Sequence, residues 1–393
     1  MYKEKTAQAV DILNEFDIDL WLTFVRETHT IHDPGLDFLC PASLTWQSAI
    51  IISRSGEKTA IVGNLDSAAV EETGIFDKVI SYKSGIAEDL TGYIESKNPD
   101  TIAINYSKDN EMADGLTHGM YLILKNYFKD TPYADKFVSS EHVLSALRGR
   151  KTDKELKRLK IAAKITNDIY AEVTDYMEAG MTEKDVAEFI LNKVSKLGLE
   201  TSWDKATCPS VFTGPDTAGA HFGPTDRKIE RGHILNIDFG VKKDDYVSDM
   251  QRTWYFLKKD EKEPPGSVKK GFEVLLGSIQ AAAAAIKPGK EGREIDGVAR
   301  DYIVEHGYDE YPHALGHQVG RAAHDGAALL CPEWERYGER PYMKIEEGQV
   351  YTIEPRLTVK GHGVVTIEEE VVVTKDGCEY LSEPQTELYV IKK

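Results

Sequence analysis

The sequence predicts an α+β fold, in which a mixed helix-and-strand catalytic domain follows a smaller α/β domain. Three observations carry this reading. The chain has 393 residues, of which 41% are hydrophobic, more length than one core usually organises and enough apolar side chain to fill two. Residues 1–150 alternate helical and extended patterns, as a small α/β unit does. Beyond 150, helical patterns come first and strands gather into two later runs, 234–256 and 350–373, which indicates layered α+β architecture rather than a doubly wound sheet.

In the first part, short β-branched-rich runs stand at 49–53, 59–63, 78–82 and 101–105, with helical spacing at 5–16, 85–96 and 115–127. The stretch 149–153, Gly-Arg-Lys-Thr-Asp, then punctuates the chain. A long helix over 154–178 follows, with apolar residues at Leu156, Leu159, Ile161, Ile165 and Ile169. The boundary therefore falls near 150, giving domains 1–150 and 151–393. Further helices are expected over 182–197, 267–286 and 291–306, the alanine run 281–285 being explained by helix propensity.

Composition excludes several classes. A net charge of −18 disfavours a nucleic-acid partner, because phosphate binding needs clustered Lys and Arg. The one dense basic run, 148–160, sits where a helix begins and reads as a solvated face. No run reaches the roughly 20 apolar residues that span a bilayer. The first residues lack the apolar core of a secretion signal, so a cytoplasmic location is expected. Cys40, Cys208, Cys331 and Cys378 are far apart with no Cys-x-x-Cys pair, which suggests reduced thiols.

The chemistry is concentrated in five residues. Asp238 stands in Ile-Leu-Asn-Ile-Asp-Phe-Gly, Asp249 follows in Ser-Asp-Met-Gln-Arg-Thr, and His317, Glu354 and Glu368 come later in similarly apolar settings. Taken singly, each has an ordinary reading as a strand end, an edge residue or a core histidine. Together they do not, because a carboxylate buried in a strand is costly without a compensating cation or hydrogen-bond network. Strand alternation puts Asn236 with Asp238, Thr352 with Glu354, and Thr366 with Glu368 and Glu370, on faces opposite the apolar layer. Four converging carboxylates repel unless about two divalent cations neutralise them. An oxygen-rich set with a single imidazole suits Mn²⁺, Fe²⁺ or Co²⁺, with Zn²⁺ also within range.

The order Asp, Asp, His, Glu, Glu in these contexts resembles the creatinase/prolidase/methionine aminopeptidase superfamily, the metallopeptidases of the pita-bread fold. The motifs are Ile-Asp-Phe-Gly, Ser-Asp-Met-Gln-Arg-Thr, His-Ala-Leu-Gly-His-Gln-Val-Gly, Thr-Ile-Glu-Pro and Thr-Ile-Glu-Glu-Glu. The likeness is strong over 155–393 and looser before it. It implies that Asp238 chelates one metal, that His317 and Glu354 bind the other, and that Asp249 and Glu368 bridge both. Glu354 would also move the catalytic proton. By the same resemblance, His221, His313 and His324 contact substrate, the latter two matching the Xaa-Pro aminopeptidase and prolidase branch and able to donate hydrogen bonds to a carbonyl or carboxylate.

Some positions depart from that branch. Thr366 stands where an arginine is common, Arg356 replaces the glycine of Glu-Pro-Gly, and Arg321 follows Gly320 where an apolar residue is common. Either arginine could replace the missing charge, which sequence does not decide. The segment 331–343, with Trp334, Tyr337 and Tyr342, reads as a pocket cap or as a surface loop packed by its own aromatics. The expected activity is a dinuclear-metal exopeptidase, manganese foremost, cleaving the bond before proline in short peptides and working as a homodimer. The alternatives are a metal-dependent hydrolase of a non-peptide amide or C–N bond, of creatinase or ectoine-hydrolase type, and an inactive binding module. Retention of all five ligands argues against the last.

Overall fold

The computed structural model describes residues 1–216 and 222–393, which fall into two compact units, Met1–Arg148 and Gly149–Lys393.

The first unit is built on a six-stranded mixed sheet. In chain order its elements are α1 (Tyr2–Glu15), β1 (Leu20–Val25), α2 (Leu36–Leu39), β2 (Ser48–Ser53), β3 (Lys58–Gly63), α3 (Ser67–Glu72), β4 (Lys78–Tyr82), α4 (Ala87–Lys97), β5 (Ile102–Ile104), α5 (His118–Tyr127), β6 (Phe137–Ser139) and α6 (Glu141–Gly149). The strand order is β4-β3-β2-β1-β5-β6, antiparallel through β1–β2–β3 and parallel at β3–β4, β1–β5 and β5–β6. Alternation divides the strands between two cores. Trp21, Ile50, Ile52, Ala60 and Val62 pack with Ile12, Leu13, Leu144 and Leu147 from α1 and α6. Leu20, Leu22, Ile51, Ile61, Ile102 and Ile104 pack with Leu90, Ile94, Met120 and Leu124 from α4 and α5. The central strand β1 was not among the strands expected from sequence. Its run Leu-Trp-Leu-Thr-Phe-Val is buried at every position, so it shows no polar alternation to separate it from a helical segment.

The second unit contains α7 (Asp153–Tyr176), α8 (Glu183–Lys196), β7 (Glu200–Thr201), β8 (Ser210–Thr213), β9 (Ile234–Phe239), β10 (Val241–Lys243), β11 (Tyr246–Val247), β12 (Met250–Phe256), α9 (Gly266–Ala285), α10 (Gly292–Glu305), β13 (Gly316–His317), β14 (Leu329–Leu330), β15 (Val350–Ile353), β16 (Arg356–Val359), β17 (Gly363–Thr366), β18 (Glu369–Val373), β19 (Cys378–Tyr380) and β20 (Tyr389–Ile391). Helix starts are set by local chemistry. Thr152 with Glu155, and Thr182 with Asp185, form reciprocal caps at α7 and α8, each satisfying backbone N–H groups that have no partner in the first turn.

These helices cover two apolar layers. Ile169, Tyr170, Val173, Val186 and Ile190 pack on Leu235, Ile237, Phe239 and Trp254. Phe272, Leu275, Ile279, Ile295 and Ile303 pack on Tyr351, Ile353, Leu357, Val365 and Val371. The opposite faces of the same strands are left for polar side chains, and there the site is built. The four cysteines are free, and no described helix is long and apolar enough to cross a membrane.

Candidate metal centre

Short, tightly registered strands deliver the five residues. Asp238 sits in β9, and its Cα partner in β12 is Gln251; Asp249 immediately precedes β12. The turn beyond Asp238 needs glycine, since a Cβ on Gly240 would stand 1.7 Å from the Ser248 carbonyl oxygen. His317 ends β13, which runs against β15. A Cβ on Gly316 would stand 1.9 Å from the Thr352 carbonyl oxygen, and this close approach brings His317 beside Glu354, the residue after β15. Glu368 lies between β17 and β18 and bridges Gln251 through paired backbone hydrogen bonds of 3.1 and 3.4 Å.

One side-chain atom each from Asp249, His317 and Glu368 lies within 4.8 Å of the others, and all three residues are buried. His317 Nε2 is 3.3 Å from Glu354 Oε1 and 3.7 Å from both Asp249 Oδ2 and Glu368 Oε1. Its Nδ1 faces the Gln318 carbonyl at 3.3 Å, so in the neutral ring that nitrogen carries the hydrogen and Nε2 presents its lone pair to the cluster, whereas the protonated ring also donates from Nε2 to Glu354. Asp238 joins through its charge, which acts on both Asp249 and Glu368. Two carboxylate oxygens, Asp238 Oδ1 and Glu368 Oε1, are buried with no hydrogen-bond partner among the described residues. Buried carboxylate oxygens rarely go unsatisfied, and divalent cations supply the partner these lack, so the donor set fits hard metal ions.

Electrostatics point the same way. Burial, followed by repulsion from neighbouring carboxylates, pushes Asp238, Asp249 and Glu368 well above the usual carboxylate range. Burial also drives Glu370 up, to about 8, although its Oε1 accepts the Asp249 N–H at 2.9 Å. Glu354 behaves oppositely. Burial raises it, but the His317 hydrogen bond and the charges of His317, His313 and His324 bring it below the ordinary value.

The substrate histidines separate into three cases. His221 lies outside the described residues. His324 is exposed, with its ring centroid 4.2 Å from that of His317 in an edge-on arrangement, and its charge acts on Glu354. His313 is held down by burial, and its Nδ1 lies 2.7 Å from the Ala314 carbonyl. A carbonyl only accepts, so Nδ1 carries the hydrogen and the neutral ring presents an acceptor at Nε2. That narrows the expected pair of donors, since His313 donates from Nε2 only after taking up a proton.

Glutamine 251 was not singled out from sequence. Its Nε2 donates to Glu368 Oε2 at 2.9 Å and to Glu354 Oε2 at 3.2 Å, while its Oε1 accepts from the Thr366 hydroxyl at 2.8 Å. The signal was present, since two residues beyond Asp249 in a strand means the same face. The buried pair Arg252–Glu369, at 3.0 Å, occupies the other face, so successive glutamates 368, 369 and 370 alternate between cluster and scaffold. A second buried pair positions the histidine loop. Arg300 binds Asp296 through two hydrogen bonds of 2.7 and 2.8 Å and donates to the carbonyls of Tyr311 and His313, while Asp296 accepts the Leu315 N–H.

The departures also have locations. Arg321 is engaged by Asp245 and by the Tyr246 ring. Arg356 opens β16 and is the Cα partner of Thr366. In 331–343, Trp334 stacks on Tyr337, and the Arg336 guanidinium lies over both rings while donating to the Pro312 carbonyl. The segment is thus packed by its own aromatics and tied to the stretch leading into His313.

Residues 157–375 match metallopeptidase family M24. A Xaa-Pro dipeptidase of Pyrococcus furiosus is 30% identical over 270 residues, 68% of this chain and 72% of that protein. Among solved structures, a Xaa-Pro dipeptidase from Bacillus anthracis superposes with a TM-score of 0.76 at 24% identity, covering 100% of both chains. The prolidase from Pyrococcus horikoshii gives 0.69 at 25% identity over 98% of this chain and 99% of that one. These likenesses establish the pita-bread fold for the catalytic part, with a preceding N-terminal domain. With the matched span covering more than half of the sequence, the chain belongs to metallopeptidase family M24, whose members depend on divalent metal.

Proposed function

We propose that the chain is a dinuclear-metal exopeptidase that hydrolyses the bond before proline in short peptides, as a Xaa-Pro dipeptidase or aminopeptidase. The observation that carries it is the convergence of three carboxylates, Asp249, Glu354 and Glu368, on His317 Nε2, with Asp238 coupled to them by charge and with Asp238 Oδ1 and Glu368 Oε1 lacking any described hydrogen-bond partner. Asp238, Asp249, His317, Glu354 and Glu368 would hold two ions, and the count is supported by the charge balance of four carboxylates against two divalent cations. The oxygen-rich set favours manganese. Bound there, the ions supply Lewis-acid polarisation of the scissile carbonyl and neutralise developing negative charge.

The chain's own residues do the rest. Glu354, kept ionised by the surrounding imidazoles, can accept a proton from the attacking water and deliver it to the departing nitrogen. His324, exposed beside His317, is placed to donate to a substrate oxygen. The names of the relatives support the peptide bond before proline as the target. The units Met1–Arg148 and Gly149–Lys393 support a division near residue 150 into a creatinase-like N-terminal domain and the catalytic domain, and a homodimer in the cytoplasm completes the reading.

A panel of Xaa-Pro dipeptides and tripeptides, with matched Xaa-Ala controls, assayed in Mn²⁺, Co²⁺ and Zn²⁺ tests this. Preferential release of the residue before proline, abolished by EDTA and restored by metal, is expected. Metal-loaded protein that is inert toward every Xaa-Pro peptide while hydrolysing another amide would replace the reading.

A further inference from the structure

The loop bearing His324 is held from behind by a buried charge. Residues 320–325 turn back over the end of β13: the Asp325 N–H donates to the Gln318 carbonyl at 2.8 Å and the Gly320 N–H to the Ala322 carbonyl at 3.1 Å. Asp325 Oδ2 accepts the Arg321 N–H at 2.8 Å and faces Lys151 Nζ at 3.5 Å, where both side chains are 1% exposed. A Cβ on Gly320 would stand 1.9 Å from that oxygen and 2.7 Å from the ammonium, so the pair packs directly on the loop backbone.

Lys151 reaches this point from the start of α7. Its N–H donates to the Gly348 carbonyl at 3.0 Å, and the next residue, Thr152, caps the helix. One turn on, Glu155 accepts the Tyr246 hydroxyl at 2.8 Å, and the Arg321 guanidinium lies over the Tyr246 ring, 5.7 Å from its centroid. The start of α7 thus reaches the loop on both flanks of His324, at Arg321 and at Asp325. Burying two charges as a pair adds little stability beyond what apolar side chains of similar size would give. What such a pair does fix is position. His324 is itself exposed, its ring centroid 4.2 Å from that of His317, so its place follows from the backbone of its neighbour Asp325.

We propose that Lys151 is a positioning residue for peptide hydrolysis: by holding Asp325, it sets the loop that keeps the His324 ring beside His317. The proposal rests on the donor role given to His324 above. A catalytic group displaced by about 1 Å can lose on the order of a hundredfold in rate, so an ammonium remote from the reacting atoms has leverage on turnover.

Hydrolysis of the best-cleaved peptide from the panel above is compared on the metal-loaded full chain for wild type, Lys151→Met, His324→Ala and the double variant. Lys151→Met should lower kcat by about ten- to a hundredfold, with KM within about twofold and bound metal unchanged. In the His324→Ala background the same substitution should change kcat by less than about twofold, because the group it positions is gone. Lys151→Arg, which keeps the charge beside Asp325, should recover most of the rate. Hydrogen exchange on the metal-free protein gives a readout independent of turnover: Lys151→Met should speed exchange at the Arg321 and Asp325 amides and leave those of α10 as in wild type. If Lys151→Met fails to fold, Lys151→Gln, which leaves a neutral donor beside Asp325, carries the same comparisons. Unchanged kcat, equal losses in both backgrounds, lost metal, or unchanged exchange at Arg321 and Asp325 would overturn the proposal. Failure of the His324 role looks different. His324→Ala alone would then turn over as wild type does, and the exchange comparison would still decide whether Lys151 holds the loop.

Discussion

Metal loading should expel protons. In the metal-free chain, burial and mutual repulsion hold Asp238, Asp249 and Glu368 well above the usual carboxylate range, whereas Glu354 is held below it. The three raised acids hold protons more tightly than ordinary carboxylates do, so a divalent cation that needs them ionised displaces protons, and each proton released makes affinity rise about tenfold per pH unit, or about 1.4 kcal/mol. The expected outcome is net proton release on binding and an affinity that rises with pH. Mn²⁺ titrated into EDTA-stripped, dialysed protein between pH 6 and 8, in buffers of different ionisation enthalpy, measures both quantities. The linked stability has a definite sign. An acid whose folded pKa is raised stabilises the fold fully below its unfolded pKa and loses that contribution as pH rises through the folded value. Glu370, raised from 4.5 to about 8, alone represents on the order of 5 kcal/mol lost over that interval. The metal-free protein should therefore melt lower at pH 8 than at pH 5.5, with Glu354 opposing weakly and added Mn²⁺ narrowing the difference. Metal affinity that is flat with pH, with no buffer-dependent heat, would refute this account of the cluster.

Three further outcomes follow from the geometry. Asp249→Ala, which removes a carboxylate 3.7 Å from His317, should lower bound metal by elemental analysis and reduce turnover by roughly a hundredfold or more. His324→Ala should leave metal content intact yet cost about 2.7–4 kcal/mol in kcat/KM, the scale of one oxyanion-type donor; a loss below about 1 kcal/mol would assign the ring to packing. Gly316→Ala forces a methyl to within 1.9 Å of the Thr352 carbonyl oxygen unless the strands part, so it should destabilise by about 1–3 kcal/mol and weaken metal binding as His317 moves away from Glu354. Unchanged affinity in that variant would show that the cluster tolerates separation of β13 and β15.

The parts legible in the sequence were those with a period or a motif. Long amphipathic helices such as α7 and α10 declare themselves through spacing, and the acids on β9 and around β18 through the motifs that flank them. The fully apolar β1 was invisible, because a strand buried on both faces has no alternation to read. Within the site, Asp249, His317, Glu354 and Glu368 are brought together in space, but the hydrogen bonds that orient them were not legible. Gln251 is an ordinary residue in a strand until Glu354 and Glu368, more than a hundred positions away, arrive beside it. The tautomer of His313 depends on a neighbouring carbonyl, a backbone detail that no residue pattern encodes.

The alternation of Glu368, Glu369 and Glu370 makes this stretch unusually sensitive to length rather than to composition. Removing or adding one residue between Thr366 and Glu368 would rotate the strand by one face, aiming Glu369 at the cluster and turning Glu368 and Glu370 toward Arg252. A single-residue indel would thus dismantle the metal centre and the Arg252 pair at once while deleting no ligand. The turn at 374–377, closed by the Thr374 N–H to the Gly377 carbonyl and exposed at Lys375 and Asp376, lies beyond the last of these registers. Length variation among functional homologues, and insertions made by design, should therefore collect at that turn and be absent from 366–370.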